Sequence, residues 1–350
     1  MKKFVLLLLV ILPFVVVAQQ RAQYSMYMVN PYLVNPALVG SEDFIDVKVG
    51  SRQQWQGFEG APRTSYLSVH APINKPHFTE HHYSDNKNWF GLGGMVLTDV
   101  TGPLSSNNAY LTATYDFGIT EGFGKGMAHR DGIRAVFGMS FGVNQWQLQQ
   151  DQFINQDEIE KIAAVDPTVA SALNVKSSIP DANVGAWVYY ESFYVGLSAQ
   201  QILANSIDFG DNPLRTSEAH LSSHYFITAG TMLPLDPLWD VYPSFMLKGV
   251  YGAPLSVDLN MKIEYERGKY WGGISYRHAD ALNVMLGMVY NYHYEIAYSY
   301  DFTTSAIRKY SNGSHEVVLG YRIGFVSRSR NAETHQSAWW MNRHKNKARH

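Results

Sequence analysis

The feature that most constrains the fold of this chain is a strict alternation of apolar and polar residues over positions 255–265. Successive side chains of a β-strand point to opposite faces, so the pattern predicts a strand with one apolar and one polar face. Strands of soluble β-sandwiches and of membrane barrels both satisfy this pattern. The apolar positions are Leu255, Val257, Leu259, Met261, Ile263 and Tyr265, and the polar ones are Ser256, Asp258, Asn260, Lys262 and Glu264.

The same pattern recurs along the chain, and repetition favours the membrane barrel. The polar faces carry charges or glycine, which suits a lumen, and the apolar faces suit lipid. We therefore predict an all-β fold, a transmembrane antiparallel β-barrel of about 14 strands, each roughly 8–12 residues long. The predicted strands are 44–52, 64–70, 89–99, 106–117, 132–146, 182–190, 193–201, 219–232, 242–250, 255–266, 269–277, 282–290, 293–301 and 315–326.

The N-terminus has the pattern of a secretory signal peptide. Lys2 and Lys3 precede an apolar run over positions 4–17, and small residues follow up to Ala18. A membrane-spanning helix needs about 20 apolar residues, so the run is too short to be an anchor. We predict cleavage after Ala18 and export from the cytoplasm. No other uninterrupted apolar run approaches this length, so membrane insertion is expected to use strands.

Composition and motifs argue against several functions. The chain has no Cys and a formal net charge of -2, so neither thiolate chemistry nor nucleic-acid binding is expected. It contains no G-x-S-x-G elbow and no phosphate-binding glycine loop, so we expect no enzyme activity and no cofactor. The densest histidine group is His77, His81 and His82, but a third ligand with defined geometry is not apparent. We therefore predict no metal site.

The connections suggest an orientation in the membrane. If the chain enters its first strand from the periplasm, the short connections at 191–192, 267–268 and 291–292 face the periplasm. The longest connection, 148–181, then faces outward, as outer-membrane barrels require. The long connection at 71–88 fits this scheme poorly. The predicted organisation is a signal peptide (1–18), an N-terminal segment (19–43), the barrel (44–326) and a basic periplasmic tail (327–350).

The tail has two interpretations. It contains six Lys or Arg residues after Ser327 against one acidic residue, and such charge blocks usually remain solvated. Alternatively, the aromatic pair Trp339 and Trp340 marks a docking site for a periplasmic partner.

Several motifs resemble the PorP/SprF family of type IX secretion proteins. In order, they are QYSMYMVNP at 23–31, NPALVGS at 35–41, RQQWQGF at 52–58, GAPRT at 60–64, GISYR at 273–277, YSYD at 298–301 and GSHE at 313–316. The resemblance implies a non-enzymatic barrel in the outer membrane of a Gram-negative bacterium. It implies that the protein supports export or surface attachment of cargo proteins with C-terminal sorting domains, and adhesin delivery in gliding bacteria. Its implied partners are outer-membrane lipid, periplasmic components of the secretion machinery and that cargo.

The Asn-Pro pairs also have a physical interpretation. Proline lacks an N–H and restricts the residue before it, so 23–41 is poorly suited to a lipid-spanning strand. We expect an irregular segment that plugs or lines the lumen, and the alternative is a periplasmic leader. The residues expected to form the plug or contact partners are Asn30, Pro31, Asn35, Pro36, Trp55 and Phe58. The two aromatics also suit an interfacial belt. Competing functions are a solute channel and a secreted soluble β-sandwich.

Overall fold

A computed structural model describes residues 22–75, 88–119, 133–148, 176–190, 192–203, 206–207, 219–251, 253–266 and 268–324. The predicted signal peptide, the histidine group at 77–82 and the tail with Trp339 and Trp340 lie outside these ranges. The strands are β1 (Ile45–Gln53), β2 (Arg63–Ile73), β3 (Trp89–Thr101), β4 (Leu104–Gly118), β5 (Arg134–Leu148), β6 (Lys176–Tyr190), β7 (Phe193–Gln200), β8 (Ser206–Ile207), β9 (Ala219–His220), β10 (His224–Thr231), β11 (Leu233–Pro234), β12 (Trp239–Val250), β13 (Ser256–Tyr265), β14 (Tyr270–Arg277), β15 (Ala281–Tyr290), β16 (Tyr294–Thr303) and β17 (Ser314–Ile323).

Fourteen of these strands form one closed antiparallel barrel. Each pairs with its neighbours in the sequence, β10 pairs with β12, and β1 closes the ring against β17. Closure leaves no free sheet edge, which a barrel in lipid requires. The three two-residue strands are not among the fourteen: β8 pairs with β9 in a separate small sheet, and β11 pairs with β12. The predicted fold class is confirmed.

The two faces of the barrel wall decide between a membrane barrel and a soluble sandwich. On β13, Asp258 is 2% exposed, whereas the neighbouring Leu259 is 54% exposed. The alternation that predicted the strand is therefore oriented with polar side chains inside and apolar side chains outside. A soluble sandwich has the reverse arrangement, because its apolar face must leave water. The exposed apolar faces make a surface suited to hydrocarbon.

The connections fall into two sets at opposite ends of the barrel. We call the end with connections 149–175 and 201–223 the loop end, and the end with connections 191–192 and 291–293 the turn end. Strand β1 starts at the turn end and β17 finishes there, as predicted. At one tight turn Asn291 and Tyr292 both have positive φ, +47° and +59°, as short hairpins often require.

Most predicted strand boundaries agree with the structure to within about three residues, and two predicted strands differ more. Strand β6 begins at Lys176 and not at 182, because its first residues continue the ladder with β5 above the apolar band. The predicted strand 219–232 is interrupted: only 224–231 joins the barrel, and 219–220 pairs with 206–207. Within the described residues, no helix is long and apolar enough to cross a membrane.

The lumen is occupied by residues 22–44, which we call the lumen segment. Two 3-10 turns, Pro31–Leu33 and Pro36–Leu38, give it an irregular path. Its side chains and apolar residues that the wall directs inward together form the main buried apolar cluster among the described residues. Met26, Leu33 and Leu38 are no more than 2% exposed. The core of this barrel is therefore inside the lumen.

Candidate functional site

A buried ionic cluster holds the lumen segment near the loop end. Arg52 of β1 donates from Nη2 to Oδ2 of Asp301 at 2.6 Å and from Nη1 to Oε2 of Glu316 at 3.2 Å. The same guanidinium reaches the Ser25 hydroxyl at 2.6 Å. Ser25 in turn donates its N–H to Glu316 at 2.8 Å and its hydroxyl to Asp301 at 2.7 Å. The cluster therefore joins the lumen segment to the β16–β17–β1 wall, where the barrel closes.

A second ion pair anchors the start of the segment. Arg277, the last residue of β14, forms hydrogen bonds with both carboxylate oxygens of Asp258 at 3.0–3.1 Å. Its remaining N–H groups donate to the side-chain oxygen of Gln23 and to the backbone carbonyl of Tyr24, each at 3.1 Å. Each charged group thus has a partner, as burial of charge requires.

The Asn-Pro pairs lie in the middle of the lumen. Asn30 is 1% exposed and donates to the Ser68 hydroxyl of β2 at 2.8 Å. Asn35 caps the second 3-10 turn, because its Oδ1 accepts from the Ala37 N–H at 2.9 Å. Its amide also donates to two wall carbonyls of β6 and β7, at 3.2 and 3.3 Å. Pro31 and Pro36 each begin a turn, where a missing N–H is tolerated.

Wall glycines make room for the second turn. A Cβ at Gly185 of β6 would lie 2.0 Å from Oδ1 of Asn35. A Cβ at Gly138 of β5 would lie 2.5–2.6 Å from backbone atoms of Pro36 and Ala37. Both distances are far below van der Waals contact, so only glycine permits the observed approach. The glycines at these polar-face positions therefore leave the space that the segment occupies.

The far end of the segment is held at the turn end. Thr114 of β4 donates its hydroxyl to the Val39 carbonyl at 2.8 Å. Lys75, which follows β2, donates to the Ser41 carbonyl at 2.7 Å and forms an ion pair with Asp43 at 2.7 Å. The chain then enters β1 at Ile45.

Trp55 and Phe58 lie elsewhere, in the β1–β2 connection at the loop end. This connection is held to its neighbours by backbone hydrogen bonds, from Gln56 to Gly313 at 2.7 Å and from Gly102 to Gly60 at 2.8 Å. Trp55 is half-buried, whereas Phe58 is 45% exposed. The structure therefore separates the predicted contact residues into a buried lumen group and a rim pair.

A cavity of about 150 Å³ remains beside the segment, toward the turn end. On its wall, Lys262 pairs with Glu264 at 2.7 Å and lies 5.1 and 5.4 Å from the ring centres of Tyr242 and Trp271. The volume matches a few water molecules and is much smaller than a porin channel.

Sequence reasoning missed the ionic clusters. The available signal was the charge on polar-face positions, since Arg52, Asp258 and Asp301 all lie on alternating strands. The GSHE motif contains the adjacent pair His315 and Glu316. The structure places the two on opposite faces: the Nδ1 of His315 lies 2.7 Å from the Tyr298 hydroxyl on the outside, and Glu316 contacts Ser25 inside. Among the described residues, no group of three potential ligands could hold a metal ion.

The closed wall, the apolar outer face and the polar lumen define a transmembrane β-barrel of the outer-membrane class, with its interior filled by its own N-terminal segment. The family model described as type IX secretion system membrane protein PorP/SprF matches residues 16–321. The chain belongs to this family.

Solved structures give further comparisons. The Pseudomonas toluene transporter TodX (P. putida) is 12% identical, with a TM-score of 0.43 over 85% of this chain and 94% of that chain. The translocator domain of the autotransporter NalP from Neisseria meningitidis is 11% identical, with a TM-score of 0.40 over 81% and 87%. No curated protein matches.

Proposed function

We propose that this chain is a non-enzymatic outer-membrane component of the type IX secretion machinery that supports export or surface attachment of cargo proteins with C-terminal sorting domains. Family membership supports the association with this secretion system. The filled lumen is the observation that favours a supporting role over a conduit. Delivery of gliding adhesins belongs to the same proposal.

The supporting role is favoured because specific contacts hold the segment in the lumen. The segment is fixed by ion pairs near the loop end, by amide contacts in the middle and by Lys75 at the turn end. Opening a path would break all three sets, and it would remove the hydrogen bonds that Ser25 donates to the buried carboxylates of Glu316 and Asp301. A passive solute channel, the alternative function, needs an open path and is therefore disfavoured.

Partner contacts are proposed on both sides of the membrane. At the loop end, which we orient toward the cell exterior, the rim pair Trp55 and Phe58 would meet cargo or surface partners, since exposed aromatic residues often anchor contacts. On the periplasmic side, Trp339 and Trp340 of the basic tail would bind secretion-machinery components. This orientation requires signal-peptide cleavage near Ala18 and insertion into the outer membrane.

The experiment is purification of the native protein from outer membranes with identification of co-purifying proteins by mass spectrometry, beside planar-bilayer recordings of the same sample. We expect secretion-machinery components or sorting-domain cargo, and no steady conductance. A matched Trp55→Ala/Phe58→Ala variant should keep the periplasmic components and lose surface cargo. A barrel that conducts ions and brings no partner would overturn the proposal and favour the channel.

A further inference from the structure

The contacts of the lumen segment follow a one-way path along the barrel axis. Its first residues, Gln23 and Tyr24, bind Arg277, the last residue of β14 at the loop end. Its last residues, Ser41 and Asp43, bind Lys75, which follows β2 at the turn end. The segment therefore crosses the whole lumen once before the chain enters β1.

Intermediate contacts agree with this direction. Ser25 meets Glu316, which is the third residue of β17 and lies close to the loop end. Tyr32 lies within 2.6 Å of Thr112, at the middle of the fifteen-residue β4. Val39 then accepts from Thr114, two residues further toward the turn end. Position along the segment and depth in the barrel increase together.

Chain length limits how far the mature N-terminus can lie from Ala22. With cleavage after Ala18, only residues 19–21 precede the described Ala22. Three extended residues span at most about 11 Å. Even β14, which has eight residues, is about 26 Å long at roughly 3.3 Å per residue. Three residues before Ala22 are therefore too few to reach back to the turn end.

We propose that the barrel is threaded by its own N-terminus, which emerges at the loop-end mouth and is presented on the cell surface. The inference rests on the proposed orientation and cleavage, and it differs from the alternative of a periplasmic leader. It adds a free amino terminus to the outer rim that also bears Phe58, so a surface partner can contact both. A tag or natural extension at this terminus would be displayed outside the cell.

The absence of cysteine in the chain gives a clean labelling test. Single variants Arg21→Cys, Asn312→Cys at the loop end and Tyr292→Cys at the turn end are treated on intact cells with a membrane-impermeant maleimide. Asn312 and Tyr292 are both exposed in turns or loops, so they are matched reporters of the two ends. Folding of each variant is checked by heat-modifiable gel migration.

We expect Arg21→Cys to be labelled on intact cells to the same extent as Asn312→Cys, and Tyr292→Cys to gain its label only after permeabilisation. If Arg21→Cys follows Tyr292→Cys, or reacts only after denaturation, the threading inference is wrong. If Tyr292→Cys is labelled on intact cells, and both Asn312→Cys and Arg21→Cys are labelled only after permeabilisation, threading is supported and the proposed orientation is wrong. Retention of the signal peptide, read by mass spectrometry of the mature chain, also overturns surface presentation.

Discussion

Replacement of Arg52 by methionine tests whether the ionic cluster fixes the lumen segment. The guanidinium is 2% exposed and neutralises Asp301 at 2.6 Å and Glu316 at 3.2 Å. Methionine keeps much of the side-chain volume and leaves two carboxylates buried without their cation. Removing one partner of a buried ion pair costs about 3–5 kcal/mol, because the remaining charge is uncompensated. We expect a loss of this size in the free energy of unfolding.

The assay is urea unfolding of the purified barrel in detergent, followed by the fluorescence of its eight Trp residues. The control is Lys269→Met, which removes an exposed ion pair with Glu266 of similar length, 2.8 Å. Exposed pairs contribute little, so this variant should unfold as the wild type does. A loss for Arg52→Met no larger than that of the control would refute the reasoning.

A second substitution separates lost charge from lost packing. Adding Glu316→Gln to Arg52→Met replaces one uncompensated carboxylate with a neutral amide of the same shape. We expect the double variant to be more stable than Arg52→Met alone. If it is less stable, packing of the guanidinium, and not charge compensation, is what the cluster provides.

Three further predictions test the lumen, the outer face and the tail. Gly138→Ala should loosen the segment and raise its sensitivity to added protease, because a Cβ there would lie 2.5 Å from backbone of the segment. The control Gly94→Ala should leave protease sensitivity unchanged, because the nearest atom to its Cβ would be 3.6 Å away. Leu111→Arg, at a 76% exposed position in the middle of β4, should reduce the unfolding free energy in lipid by about 2–4 kcal/mol, and Gln145→Arg near the loop end by about 0–1 kcal/mol. Deleting 327–350 should leave heat-modifiable migration intact while periplasmic partners are lost from the co-purification, and retention of those partners would contradict a docking role.

The barrel was predictable because lipid imposes a simple rule on each strand. The alternation at β13 predicts both its extended conformation and which of its faces meets hydrocarbon. The other strands obey the same constraint, so their two faces can be predicted in the same way. The start of β6 was missed because its first residues extend beyond the apolar band, where Lys176 and Ser178 on the outer face no longer alternate with apolar residues. Outside the lipid, outward-facing residues need not be apolar, so alternation no longer marks a strand.

The contacts inside the lumen could not be predicted in the same way, because they join residues far apart in sequence. Ser25 and Asp301 are separated by 276 positions, and their pairing depends on which strands the closed barrel brings together. The Asn-Pro pairs indicated an irregular segment, yet they did not indicate its direction. That direction follows only from the rim residues Arg277 and Lys75, which hold opposite ends of the segment.

The filled lumen also explains why the wall can direct so many charges inward. In a water-filled pore, Asp258 and Arg277 would be hydrated and their ion pair would contribute little. Here the segment excludes water from them and supplies the backbone carbonyl of Tyr24 as a further acceptor. Buried hydrogen bonds between the segment and these charged groups favour one arrangement, because displacement of the segment leaves their donors and acceptors without partners. The polar lumen face that would normally indicate a channel is, in this barrel, the binding surface for its own N-terminal segment.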